Sequence, residues 1–193
     1  EVKRATVHIA GMGLYELFIN GQRIGEQVLA PAPTDYRKTI LYNTYDITPQ
    51  LQKENAIGVI LGNGRFYTMR QNYKPYKIPT FGYPKLRLNL IVEYTDGSRQ
   101  TIASDISWKL TTEGPIRSNN EYDGEEYDAR KELGDWNRAG YDDTNWIPAG
   151  RVSIPSGTLR AQMMPGMKVT ESLKPVSIRK QGDKQILDIG QNM

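Results

Sequence analysis

Polar and apolar residues alternate along this chain with a period of two. In the run Lys85-Leu-Arg-Leu-Asn-Leu-Ile-Val-Glu-Tyr94, Leu86, Leu88, Leu90, Val92 and Tyr94 share one face. Arg87, Asn89 and Glu93 share the other, with only Ile91 out of pattern. This alternation predicts a half-buried antiparallel strand. Asp96-Gly97 follows, a pair that tolerates the positive φ of a tight hairpin, and residues 100–103 form the return. Asn20-Gly21 repeats the device between two runs over residues 15–25. Further strands are predicted over residues 6–10, 39–46, 56–61, 107–112, 169–173 and 185–189. Helix is scarce. Thr48-Pro49 predicts an N-cap followed by proline at the first helical position, and another short turn is expected near residues 141–146. About nine short strands with frequent turn signals predict an all-β fold, an antiparallel β-sandwich or jelly roll.

The alternation lapses over residues 148–165, where Pro, Gly and Ser accumulate. The chain is therefore expected to divide into a β-sandwich over 1–150, a linker over 151–165 and the truncated start of a further β domain over 166–193. Both termini read as cut from a longer protein.

Composition narrows the chemistry. A chain of 193 residues buries roughly 70% of the surface its unfolded form exposes, so a full core needs no staples. Lys and Arg number 25 against 22 Asp and Glu, a net charge of +3. So small an excess does not indicate a nucleic-acid partner. The most apolar stretch, residues 56–61, falls far short of the roughly 18 residues of a membrane helix. The absence of cysteine excludes disulfides, thiol nucleophiles and thiolate zinc sites, and His8 has no second imidazole with which to hold a metal. Cytoplasm and periplasm suit such a chain equally.

Three segments invite functional readings. Glu121-Tyr-Asp-Gly-Glu-Glu-Tyr-Asp-Ala-Arg130 gathers five carboxylates, and a glycosidase needs two flanking its scissile bond. Asp123-Gly124 is itself a turn signal, however, and Arg130 can pair with Asp128 or Glu126, so a structural or interdomain role is expected. Gly62-Asn-Gly-Arg-Phe-Tyr67 lacks both the Lys-Ser/Thr of a P-loop and the third glycine of a dinucleotide fingerprint. The stretch 65–84 interleaves aromatic rings with Arg65, Arg70, Lys74 and Lys77. Such a mixture suits a sugar, which stacks its CH face on a ring and shares its hydroxyls with polar groups, better than it suits nucleic acid here. A surface loop with a packed aromatic underside is the competing reading. Trp136 and Trp146 are expected in core or hinge packing, with a ligand platform as the alternative, and His8 on a strand surface opposite Val7 and Ile9.

The ordered set of Tyr15-Glu-Leu-Phe-Ile-Asn-Gly-Gln-Arg-Ile-Gly25, Thr34-Asp-Tyr36, Tyr45-Asp-Ile-Thr48, Gly58-Val-Ile-Leu-Gly-Asn-Gly64, Tyr141-Asp-Asp-Thr-Asn-Trp146 and Asp188-Ile-Gly-Gln-Asn-Met193 resembles the N-terminal β-sandwich region of bacterial α-L-rhamnosidases, glycoside hydrolase family 78. The resemblance covers nearly the whole chain. It implies a galactose-binding-like sandwich that precedes an (α/α)6 barrel bearing the acid and base for inverting hydrolysis of α-L-rhamnosides. No catalytic residue is therefore expected in this chain. Its implied partners are the parent's own barrel and β domains, rhamnose-containing glycans and, in the parent, a second copy. In some members the corresponding sandwich binds L-rhamnose through calcium, near loops equivalent to residues 34–36 and to the stretch ending near Pro84. Here Arg37 and Lys38 stand where a metal-binding version would carry Asp or Asn, and two cations disfavour the ion. No cofactor is expected, with calcium the alternative. A sugar site would draw on Asp35, Tyr36, Asn63, Arg65, Tyr67, Tyr73, Tyr76 and Tyr83.

Overall fold

The computed structural model describes residues 1–67, 80–120 and 124–192. Strands β1 (Val2–Met12), β2 (Leu14–Ile19), β3 (Gln22–Arg23), β4 (Thr39–Asp46), β5 (Ile57–Gly62), β6 (Lys85–Tyr94) and β7 (Arg99–Ala103) build the body. The shorter β8 (Lys109–Leu110), β9 (Ile116–Asn120), β10 (Gly124–Tyr127), β11 (Ile147–Pro148), β12 (Thr158–Ala161), β13 (Ser177–Gln181) and β14 (Lys184–Asp188) follow. One sheet has the order β12-β4-β1-β6-β7 and a second the order β3-β2-β5. Only short 3-10 turns interrupt this all-β architecture among the described residues, and no helix there is long and apolar enough to cross a membrane.

The alternating patterns become the two inner faces of a sandwich. Ala5, Val7 and Ile9 of β1, with Leu88, Leu90 and Val92 of β6, are buried against Tyr15, Leu17 and Ile19 of β2. Each buried Val, Leu or Ile among them contributes roughly 1.5–3 kcal/mol by burial. The chain passes between the sheets at Gly13, whose φ of 112° and close approach to the Gly62 carbonyl leave no room for a Cβ. The Asn-Gly hairpin forms as predicted, with Asn20 at φ 51° and Gly21 at φ 83°.

A buried phenol lies within this core. The Tyr15 hydroxyl donates to Asn43 Oδ1 at 2.8 Å and lies 3.0 Å from the Tyr45 hydroxyl. Burial, then the Tyr45 bond, pushes its pKa well above the ordinary 10.0. The folded chain thus keeps a proton that the unfolded chain releases, so this contribution is complete below pH 10.0 and is lost as pH rises beyond it. Urea midpoints should fall between about pH 10 and 11.5, and Tyr15→Phe should flatten much of that slope. A slope unchanged in the variant would assign the alkaline sensitivity elsewhere, to Tyr36 or Tyr45, both also raised by burial.

Several expectations need correction. Residues 169–173 form no strand; Val169 is 70% exposed, and the nearest pairing is an isolated bridge from Lys168 to Gln27. Alternation without a partner strand leaves the backbone unpaired. The strand predicted over 107–112 contracts to β8, because Asp105 turns the chain by accepting from the Ser107 amide and hydroxyl. Thr48 does not cap the turn Thr48–Gln50. Ile47 takes the capping place, and the Thr48 hydroxyl instead donates to Asp46 and accepts from the Ala5 amide. The short strand β12, which the sequence pattern did not mark, pairs in parallel with β4, Leu159 opposite Ile40 and Ala161 opposite Tyr42.

Candidate functional site

The loop entering β4 carries the first candidates. Asp35 turns it over, its carbonyl accepting from the Lys38 and Thr39 amides at 2.8 and 2.9 Å. Its carboxylate accepts from the Arg37 amide at 3.1 Å and takes the Arg37 guanidinium as a fork, at 2.9 and 3.1 Å. The side-chain bonds from Arg37, then its backbone amide, hold the Asp35 carboxyl below the ordinary carboxylate range. The 156–162 segment braces this loop from outside. The Gly157 amide reaches the Tyr36 carbonyl at 3.1 Å and the Ser156 hydroxyl the Arg37 carbonyl at 3.0 Å. A Cβ at Gly157 would run into that Tyr36 carbonyl.

Behind the loop lies a second small core. Phe66 is fully buried, edge-on to Tyr36 at 5.0 Å and stacked with Phe81 at 5.4 Å, with Ala10, Met12 and Ile40 completing the cluster. These rings back an open cleft of about 460 Å³, lined by Pro33, Thr34, Asp35, Tyr36, Arg37, Arg65 and Phe81. The fold thereby brings together Asp35, Tyr36 and Arg65, three candidates drawn from two separate loops. Tyr36 enters as a wall, being only 3% exposed.

The other candidates are placed differently. Asn63 is absent from the lining of the cleft; its backbone N–H donates to Asn119 Oδ1 at 2.9 Å and its Nδ2 to the Asn119 carbonyl at 2.7 Å, clamping the loop to β9. Tyr67 and Tyr83 stack on each other at 4.9 Å, with Tyr83 74% exposed. Tyr73 and Tyr76 lie outside the described residues. Sequence reasoning missed Asn119, which no local pattern marks, and did not single out Phe81 within the aromatic stretch 65–84.

A metal fits this cleft poorly. Calcium takes six to eight oxygens, mostly carboxylates and carbonyls. Asp35 is the single carboxylate in the lining and Arg37 already holds both its oxygens, with Arg65 adding a second guanidinium. No group of three or more metal-ligating side chains gathers among the described residues.

Of the acidic stretch 121–130, residues 121–123 lie outside the described residues, and the part described holds a local network. Asp128 accepts from the Arg130 amide and side chain, the latter at 2.8 Å, and so caps the turn Ala129–Lys131. Glu132 bonds the Tyr127 hydroxyl, and Glu113 pairs with Lys131 at 2.9 Å. Trp136 stacks on Trp146 at 6.4 Å and lies edge-on to Phe18, directly over Gly58, as packing rather than as a free platform.

Residues 1–171 match the family model described as the α-L-rhamnosidase N-terminal domain. An α-L-rhamnosidase of Formosa agariphila is 42% identical over the whole chain, which spans 21% of that protein. Among solved structures, the α-L-rhamnosidase of Dictyoglumus thermophilum is 44% identical with a TM-score of 0.87, over 99% of this chain and 21% of its own. That of Streptomyces avermitilis, complexed with L-rhamnose, is 33% identical with a TM-score of 0.90, over 100% of this chain and 19% of its own. The chain thus spans about one fifth of the length of the relatives it matches.

Proposed function

This chain belongs to the family of α-L-rhamnosidase N-terminal domains, and on that premise we propose that it is a non-catalytic accessory sandwich. Its work is to support the catalytic barrel and β domains of an α-L-rhamnosidase that removes terminal α-L-rhamnosyl units with inversion. The observation that carries this reading is the match of residues 1–171 to the N-terminal domain model in a chain that spans about one fifth of its rhamnosidase relatives, and the described carboxylates agree with it. An inverting pair stands about 6.5–9.5 Å apart across a sugar-sized cleft, one member raised in pKa to act as acid. Here Asp35, Glu113 and Asp128 are each lowered by an adjacent base. Groups so held are poor proton donors near neutrality.

A second reading has its own support: an autonomous rhamnose-binding module using the cleft of Asp35, Tyr36 and Arg65. An aromatic wall beside fixed polar groups suits a sugar ring, and the Streptomyces avermitilis relative was solved with L-rhamnose. With Arg37 on Asp35, binding there would not need calcium.

One experiment separates these readings. The chain is titrated with L-rhamnose in a calorimeter, once with calcium and once with chelator, and assayed against an aryl α-L-rhamnoside. The accessory role predicts no turnover and no saturable heat up to millimolar sugar. Saturable heat indifferent to chelator selects the binding module. Heat abolished by chelator selects a calcium site despite Arg37 and Lys38, and turnover by the repurified chain overturns the non-catalytic assignment.

A further inference from the structure

The outer face of the five-stranded sheet carries a second cleft, separate from the one proposed above. Alternation along β1, β4 and β6 sends Val7, Ile9, Leu88 and Leu90 into the core and His8, Ala10, Tyr42, Arg87 and Asn89 to the opposite face. Their registers set them side by side: His8 opposite Asn89, and Ala10 opposite Arg87. Ala10, with only a methyl group, leaves a depression between larger neighbours, and Leu159 of β12 lines it as well. The cleft holds about 270 Å³. That is below the roughly 300–1,000 Å³ of drug-sized sites, and so fits one ring rather than an extended chain.

Its polar groups are unspent. Among the described residues, neither the Arg87 guanidinium nor the Asn89 side-chain amide has a hydrogen-bond or ion-pair partner, in contrast to Asp35 in the other cleft. His8 commits Nδ1 to the Thr44 hydroxyl at 2.9 Å and sets its ring edge-on to Tyr42 at 5.8 Å, while Nε2 has no partner among them. No carboxylate lines the cleft, and Glu93, further along β6, is held by Arg99 at 2.7 Å. A guanidinium presents parallel N–H groups that match a carboxylate in two places, which a neutral hydroxyl cannot equal. Tyr42 offers a ring edge or face to a pyranose, and Asn89 and His8 offer partners for its hydroxyls.

We infer that this outer-face cleft binds a single carboxylate-bearing sugar unit, a uronic acid residue of a glycan, with Arg87 on its carboxylate. The site is independent of the cleft at Asp35, and its assignment does not depend on the accessory role proposed above.

The test follows side-chain resonances of His8, Tyr42 and Asn89 by NMR while the chain is titrated with methyl β-D-glucuronide, methyl β-D-glucoside or acetate. Saturable shifts of these three residues with the glucuronide, at least about tenfold weaker with either the glucoside or acetate, would support the site. Arg87→Gln, at an exposed position, should keep the melting temperature and weaken glucuronide binding by about tenfold or more. Absence of saturable shifts, equal response to the glucoside or to acetate, shifts confined to residues 33–37, or binding unchanged in a folded Arg87→Gln chain would each overturn it.

Discussion

Replacing Phe66 with alanine should destabilise the chain by about 3–5 kcal/mol, the range for deleting a fully buried aromatic ring whose site cannot close. Collapse is prevented on every side. Tyr36 meets the ring edge-on, Phe81 stacks on it, and the Lys85 ammonium sits 4.7 Å from its centroid. The backbone is fixed as well, because the Phe66 amide donates to the Asn63 carbonyl and the Phe66 carbonyl accepts from the Phe81 amide. Phe66→Leu keeps part of the volume and should lose about 1.5 kcal/mol or somewhat more. Urea unfolding of both variants measures the difference. A loss below about 1 kcal/mol for Phe66→Ala would mean that this second cluster contributes little to global stability. The cleft that rests on these rings would then need another source of rigidity.

Asn20→Ala should cost about 3–4 kcal/mol, from two separable causes. The first is lost hydrogen bonding. Asn20 Nδ2 donates to the Gln50 carbonyl and to Asn55 Oδ1, and Asn20 Oδ1 accepts from the Ala56 amide, all at 2.8 Å. This side chain ties the β2–β3 hairpin to the loop that enters β5. The second cause is backbone conformation, since φ at Asn20 is 51° and alanine resists that region. Asn20→Gly removes only the second cause and should recover about 1 kcal/mol of the loss. Equal losses in the two variants, read from urea midpoints, would show that the hydrogen bonds alone matter. A negligible loss in both would mean that neighbouring groups replace the amide.

What could be read from the sequence was whatever is encoded locally. The strands over 39–46 and 85–94 emerge with the predicted bounds, and for 85–94 the reason is that a strand with one buried face writes a period of two into its residues. Asn20-Gly21 and Asp96-Gly97 turn where expected because few other pairs accept such dihedrals. Pairings that depend on remote partners left no such trace. All four residues of β12 are exposed, and its partner lies more than a hundred residues earlier. Residues 169–173 show the reverse case, a strand-like pattern that no neighbour takes up. The candidate cleft was half visible. Asp35, Tyr36 and Arg65 are convergent polar and aromatic types, yet whether an aromatic ring packs inward or faces a ligand depends on contacts that composition does not record. Tyr36 and Phe66 pack inward, and Asn63 is held by Asn119.

The four residues of β12 have a consequence for how the protein behaves in a crowded solution. They occupy the outer backbone edge of β4, and on either side the Thr158 amide bonds the Lys38 carbonyl and the Gln162 amide the Tyr42 carbonyl. Without that cover, β4 would end the sheet as a long open edge, a template on which another molecule's strand can add. A chain trimmed before Thr158 would keep the Val7–Ile9 core and still tend to gather edge to edge. By this argument colloidal behaviour and fold integrity would be governed by different parts of this molecule, since β12 covers the edge on which a second copy could add.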